Sequence, residues 1–175
     1  MIDYQQQAMR TAAPLADNCA DFVHGALGLV DESHELMAAV KNQNALEEMG
    51  DICWFTALCG TALNKTPFDG IQPIEPTCTP SRTLTEISEH ASHIAAIAKK
   101  WHAYGRPAEP LEAMFHLRCI VVLVTHYAKF LGLTLEQVQQ ANIRKLQARY
   151  PDKFSQERAL NRNTAAEYAA MGGDQ

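Results

Sequence analysis

Two pairs of acidic residues give this sequence its clearest indication of chemistry. Glu32 and Glu35 are three residues apart, and so are Glu48 and Asp51. Residues at this spacing lie on one face of a helix. Both pairs border apolar rows of their helices, so we expect them at the edge of a buried interior. In an antiparallel hairpin of the two helices, all four carboxylates would fall within about two turns of one another.

A cluster of carboxylates at such an edge needs cations. Desolvation and mutual repulsion raise the pKa of each carboxyl group, and a divalent cation relieves both effects. A ligand set made only of oxygen favours Mg²⁺, with Mn²⁺ as the alternative, over zinc. Because Mg²⁺ usually completes its coordination with phosphate oxygens, the cluster points to a nucleotide substrate. The competing interpretation is a solvated acidic face on a helical hairpin.

The composition fits one soluble globular domain over residues 1–175, with 47% hydrophobic and 20% charged residues. The net charge of -5 disfavours a nucleic-acid partner. The longest apolar run, 119–124, is far shorter than the roughly 18 residues that span a bilayer, so we expect no membrane partner. The acidic, polar first residues are unlike a signal peptide, and the five cysteines contain no C-x-x-C pair. We therefore expect a cytoplasmic protein with reduced thiols.

Apolar residues recur at helical spacing almost throughout, which predicts an all-α bundle of about five or six helices. Asn44, Thr83 and Thr134 each open a sequence typical of a capping box. Residues 64–80 hold too many prolines for a regular element, and residues 156–175 form a tail that we expect to be mobile at its end. The predicted helices are 3–12, 15–41, 44–63, 83–104, 111–131 and 134–150.

Four ordered blocks of the sequence carry a resemblance to a known family. The blocks are YQQQAMRTA at 4–12, ALGLVDESHEL at 26–36, EEMGDICWF at 47–55 and NIRKLQARYPDKFS at 142–155. Together they resemble the MazG-like all-α nucleoside triphosphate pyrophosphohydrolases, a superfamily that includes the dimeric dUTPases and phosphoribosyl-ATP pyrophosphohydrolase. The resemblance implies hydrolysis of a nucleoside or deoxynucleoside triphosphate to the monophosphate and pyrophosphate. It also implies a homodimer or a higher homo-oligomer.

The resemblance assigns roles to particular residues. It implies that Mg²⁺ is bound by the four acids Glu32, Glu35, Glu48 and Asp51. It implies that the substrate phosphate or base is held by residues near the end of the chain, namely Asn142, Lys145, Arg149 and Tyr150. Without the resemblance, Lys145 and Arg149 are equally well explained as a solvated basic stripe, because they are four apart on one helix face.

Two residues of the third block have open roles. Glu47 is either a base that orients the attacking water or an ordinary first-turn acid favoured by the helix dipole. Trp54 follows Asp51 by one turn and is either a core aromatic residue or a ring that contacts substrate.

Residues 81–131 are an insertion relative to compact members of that family. They align as a degenerate copy of the acidic hairpin, with 88–96 over 30–38 and 111–116 over 46–51. The four ligand positions become His90, His93, Ala113 and His116. These histidines either bind zinc or another transition metal, or line a vacated half-site as polar residues. We predict that the second hairpin packs on the first. Each chain would then have one functional site, on the first hairpin.

Two other functions compete with hydrolysis. One is a non-catalytic helical module that binds nucleotide or regulates a partner. The other is a di-iron carboxylate bundle, which requires E-x-x-H motifs on two helices. The sequence contains no such motif, and Asp31-x-x-His34 is the nearest approximation.

Overall fold

The computed structural model describes residues 4–39, 42–72 and 75–172, and these residues form eight α-helices and no β-strand. The all-α prediction is confirmed. The expected number of five or six helices is wrong, because the tail contains two short helices that carry little periodic signal. The helices are α1 Tyr4–Met9, α2 Asn18–Ala38, α3 Asn42–Ala62, α4 Pro80–Tyr104, α5 Pro110–Phe130, α6 Leu135–Arg149, α7 Gln156–Leu160 and α8 Thr164–Ala170.

Helices α2 and α3 form the first hairpin. The side chain of Asp17 caps α2 by accepting the Ala20 N–H at 2.8 Å. Helix α3 begins at Asn42, so Asn44 lies inside the helix and the capping box predicted there is wrong. The residue types at 42 and 43 do not break a helix, which allows α3 to extend toward the hairpin turn.

Helices α4 and α5 form the second hairpin. The cap of α4 is Thr79, followed by Pro80 in the first turn, so the capping box predicted at Thr83 is also wrong. Pro80 favours this earlier start because its fixed φ suits the first helical position. Thr83 is buried within the helix and its hydroxyl donates to the Thr79 carbonyl at 3.1 Å. The helix ends as predicted, at Gly105 with φ 63°.

The two hairpins pack on each other as one bundle. Helix α4 lies against α2, and α5 lies against α3. The interior is filled by fully buried side chains from all four helices, among them Phe22, Leu29, Met49, Ile52, Ile94 and Leu117. This contact between hairpins is the one that the pseudo-repeat hypothesis requires.

Helix α6 closes the bundle on the side of the acidic residues. It begins at the predicted capping box, in which Thr134 and Gln137 exchange both hydrogen bonds. It packs against α3, α1 and α8. The residues of the fourth sequence block therefore meet those of the third. We expected a mobile end within residues 171–175, of which Met171 is buried and 173–175 lie outside the described residues.

Helix α5 is long and apolar enough to cross a membrane by length and composition alone. In its most apolar stretch of 18 residues, 44% is buried in the protein interior. It packs against α3, α4 and α6. The expected absence of a membrane partner stays a prediction.

Candidate metal centre

Three of the four predicted metal ligands converge. Glu32 on α2 and Glu48 and Asp51 on α3 place one carboxylate oxygen each within 4.8 Å of the others. All three residues are half-buried. Glu35 lies one turn beyond Glu32 and is exposed, so it stands at the outer edge of this acidic cluster. The i, i+3 spacing accounts for Glu48 and Asp51 on one face of α3, and the hairpin brings Glu32 to them, whereas Glu35 stays outside the group.

A close approach of α2 and α3 sets the distance between the two acidic faces. The ring of Phe55 occupies the place that a side chain at Gly28 would need, only 2.3 Å from the position of a Cβ. Glu32 lies one turn after Gly28, and Asp51 lies one turn before Phe55. Glycine at 28 therefore lets the helices touch at the level where the carboxylates meet.

The acidic cluster carries more negative charge than its surroundings neutralise. Burial, followed by the charge of Asp51, raises the pKa of Glu32 to about 9. Burial also raises the pKa of Glu48 to about 7, although a hydrogen bond from Glu32 lowers it in part. Among the described residues, no lysine or arginine forms an ion pair with Glu32 or Glu48. The donor set and these shifts fit a hard divalent cation.

Asp51 has a cationic partner of its own. The ammonium group of Lys145 forms an ion pair with Asp51 and lies 3.2 Å from Glu47 Oε1. Only 1% of the Lys145 side chain is exposed. Burial alone would lower the pKa of Lys145, but the charges of Asp51 and Glu47 outweigh it and raise the pKa. Lys145 therefore does not belong to a solvated basic stripe.

Lys145 pairs with Oδ2 of Asp51, and Asn142 binds the other carboxylate oxygen. Its Nδ2 donates to Asp51 Oδ1 at 3.0 Å, and its Oδ1 accepts from the Tyr4 hydroxyl at 2.9 Å. Gly50 makes room for this amide, because a Cβ there would lie 2.9 Å from the Asn142 Cβ. Asn142 therefore contacts a predicted metal ligand and positions it.

Helix α8 supplies a network that the sequence analysis missed. The buried carboxylate of Glu167 accepts from both Nε and Nη2 of Arg149 and, at 2.8 Å, from Nη2 of Arg162. Burial would raise the pKa of Glu167, but the two guanidinium groups outweigh it and lower the pKa. Arg162 also lies 3.6 Å from Glu47 Oε1. The helix-capping residues Ser155 and Asn163 were the local signals that could have revealed α7 and α8.

Glu47 does not join the acidic cluster. Its carboxylate faces Lys145 and Arg162, and its side chain is 12% exposed. Burial, followed by the charge of Glu47, raises the pKa of the nearby Tyr168 phenol. These contacts make Glu47 a paired and largely buried acid, which differs from a solvated first-turn acid. Its role as a base that orients the attacking water stays a prediction.

A cleft of about 250 Å³ opens beside the acidic cluster. Trp54 forms part of its wall, and the indole Nε1 is anchored by donating to the Ala8 carbonyl and the Thr11 hydroxyl, at 3.1 and 3.0 Å. The cleft is lined by both aromatic rings and charged side chains. Its rings are His24, Trp54, Phe55, Tyr150 and Phe154, and its charged residues are Glu32, Asp51, Arg149 and Arg162.

The structure therefore gathers most of the predicted site residues in one region. Glu32, Glu48 and Asp51 form the acidic cluster, and Lys145 and Asn142 hold Asp51. Trp54, Arg149 and Tyr150 line the adjacent cleft, while Glu35 and Glu47 lie outside the acidic cluster. Compared with known proteins, the chain gives no match to a family model, a curated protein or a solved structure.

Proposed function

We propose that the protein hydrolyses a nucleoside or deoxynucleoside triphosphate to the monophosphate and pyrophosphate, with Mg²⁺ or Mn²⁺ as cofactor. The observation that carries the proposal is the acidic cluster beside a cleft that also presents aromatic rings and two arginines. A triphosphate ester needs these three elements: a cation site, a basic contact and an apolar surface for the base.

Glu32, Glu48 and Asp51 would hold the cation, with Glu35 as the outermost carboxylate. Bound there, Mg²⁺ would neutralise phosphate charge and make a water molecule more acidic. Asn142 and Lys145 orient Asp51 and limit its negative charge. Glu47 acts as a positioning residue in this proposal, since it holds Lys145 and Arg162.

The arginines and rings of the cleft would hold the substrate. Arg149 is fixed by Glu167, so its guanidinium is oriented before a ligand arrives. Arginine binds phosphate through paired N–H groups, and an oriented group loses less entropy on binding. Trp54 is anchored through its indole nitrogen, which makes it the best-fixed surface for a base.

Replacement of one ligand tests the proposal. Pyrophosphate release is measured over a panel of canonical and modified nucleotides with Mg²⁺ or Mn²⁺, for the wild type, Glu48→Ala and Asp31→Ala. We expect Glu48→Ala to reduce turnover at least about 100-fold with its circular dichroism unchanged. Asp31→Ala is the matched control, since Asp31 is an exposed acid adjacent to Glu32. A wild type that releases no pyrophosphate from any nucleotide would refute the hydrolase.

A second candidate is a module that binds nucleotide without turnover. The observation that favours it is the pairing of Asp51 with Lys145, because this ion pair competes with a cation for the same carboxylate. Calorimetry distinguishes the two functions: nucleotide binding that requires Glu48 but yields no product would establish the binding module.

The homodimer or higher homo-oligomer belongs to the same proposal. Helix α5 presents exposed Leu111 and Phe115, one turn apart, which association would bury. Light scattering that gives the mass of one chain at all concentrations tested would contradict it.

A further inference from the structure

A cluster of three imidazoles lies on the second hairpin, apart from the acidic cluster. His90 on α4 and His116 on α5 place their Nδ1 atoms 2.8 Å apart. The ring of His93 stacks on that of His116, with centroids 4.4 Å apart and planes inclined by 12°. His90 and His116 are half-buried, and His93 is exposed. We call these three residues the histidine cluster.

The distance between the two Nδ1 atoms is close to that of a chelating pair. Two nitrogens bound to one tetrahedral zinc ion, at about 2.0–2.1 Å each, are about 3.3 Å apart. Nδ1 atoms at 2.8 Å therefore need to separate by only about half an ångström, within the reach of small side-chain rotations. The alternative is a hydrogen bond in which one imidazole donates to the other, which requires no ion.

The surroundings favour a cation over a pair of imidazolium ions. Burial, followed by the charge of His93, lowers the pKa of His90 and of His116. Neutral imidazole is the form that binds metal ions. The charges of Glu86 and Glu89 on α4 act on His90, and that of Glu112 on α5 acts on His116. Their negative charge attracts a cation to the neutral rings.

We propose that His90 and His116 bind one transition-metal ion of the zinc class, such as Zn²⁺, Co²⁺ or Ni²⁺, and so join α4 to α5. His93 supplies a third ligand by side-chain rotation. This rotation is necessary because, within the described residues, the acidic cluster alone brings three ligand atoms within 4.8 Å of one another. Water completes the coordination. Imidazole nitrogen suits these ions and disfavours Mg²⁺, so the histidine cluster and the acidic cluster would select different metals.

The experiment uses the full chain with Glu48→Gln, which weakens the acidic cluster as a competing zinc site. Zinc and magnesium are added separately to the metal-free protein, and binding is followed by calorimetry and by thermal unfolding. We expect one zinc per chain and a rise of several degrees in the unfolding temperature, with no comparable effect of magnesium. Substitution of Co²⁺ should give the visible absorption of a tetrahedral centre.

His116→Asn and His90→Asn should each weaken zinc binding at least about 100-fold, whereas His93→Asn should weaken it less. His34→Asn and His102→Asn are matched controls, because both histidines are exposed and outside the cluster. Circular dichroism of the metal-free variants verifies their folding. Failure of the Glu48→Gln protein to bind zinc, or binding that survives both His90→Asn and His116→Asn, would refute a metal site at the histidine cluster. Neither result depends on nucleotide turnover.

Discussion

The buried ammonium group of Lys145 on α6 forms ion pairs with two acids on α3. It pairs with Asp51 and with Glu47, and water has almost no access to it. A charge in this setting is tolerated only while its partners remain, because an unpaired buried charge costs several kcal/mol. Lys145 is therefore needed for folding, whatever its part in substrate binding.

We predict that Lys145→Met destabilises the protein by about 3–5 kcal/mol, since it leaves Glu47 and Asp51 without their shared cation. Urea unfolding measures the loss. Lys129→Met is the control, because Lys129 pairs with Glu75 at an exposed position and should cost less than about 1 kcal/mol. Similar losses for the two variants would contradict the assignment of Lys145 as a buried structural charge.

The residues of the acidic cluster were predictable from the sequence because their spacing is local. Glu48 and Asp51 share a helix face whatever the fold, and the short hairpin connection brings Glu32 opposite them. The contacts of Lys145 and Tyr4 were not predictable in this way. The bonds from Lys145 to Asp51 and from Tyr4 to Asn142 join residues separated by more than 90 positions, and no spacing rule encodes how α1 and α6 pack on α3.

At the scale of elements, the last helix closes the site. Helix α8 packs on α6 and inserts the buried carboxylate of Glu167 between two arginines of the cleft. The pairing orients Arg149, which lies beside the predicted substrate. A segment described from the sequence as a tail is thus part of the site.

We predict that Glu167→Ala lowers stability by about 1.5–3 kcal/mol, the range for hydrogen bonds to charged groups. Denaturant unfolding of Glu167→Ala, Arg149→Ala and the double variant gives their coupling energy. Glu157→Ala on exposed α7 should have almost no effect. Additive effects of Glu167→Ala and Arg149→Ala would show that α8 docks without this ion pair.

The errors in helix boundaries have a common cause. Thr83 and Asn44 both open capping-box sequences, but the helices start earlier, at Pro80 and Asn42. Residues with capping side chains are also compatible with a first turn, so the pattern admits several starts. The capping box at Thr134 was correct because Gly132, with φ 74°, ends the preceding segment and leaves one start only.

At the scale of the whole molecule, the charge of the acidic cluster opposes folding in the absence of a cation. Glu32 has a folded-state pKa of about 9, compared with an ordinary value of 4.5. The folded protein therefore binds a proton more tightly there than the unfolded chain does. This contribution lowers stability as the pH rises from about 4.5 to about 9, and its effect disappears at lower pH.

We predict that Glu32→Gln is more stable than the wild type at pH 8 in the presence of a chelator, and that the difference shrinks toward pH 4.5. Saturating Mg²⁺ should reverse the order, because the cation stabilises only the chain that keeps its ligands. Thermal unfolding with and without Mg²⁺ over this pH range measures both effects. Equal stabilities at pH 8 would mean that Glu32 ionises without cost.

The contact of Asp51 with Lys145 has a consequence for the newly synthesised protein. A ribosome must translate 94 residues beyond Asp51 before its cationic partner exists. Until then, a nascent α2–α3 hairpin carries its acids unbalanced, and cellular magnesium is the available counterion. The cation that we propose for the acidic cluster would in this way also assist folding during translation.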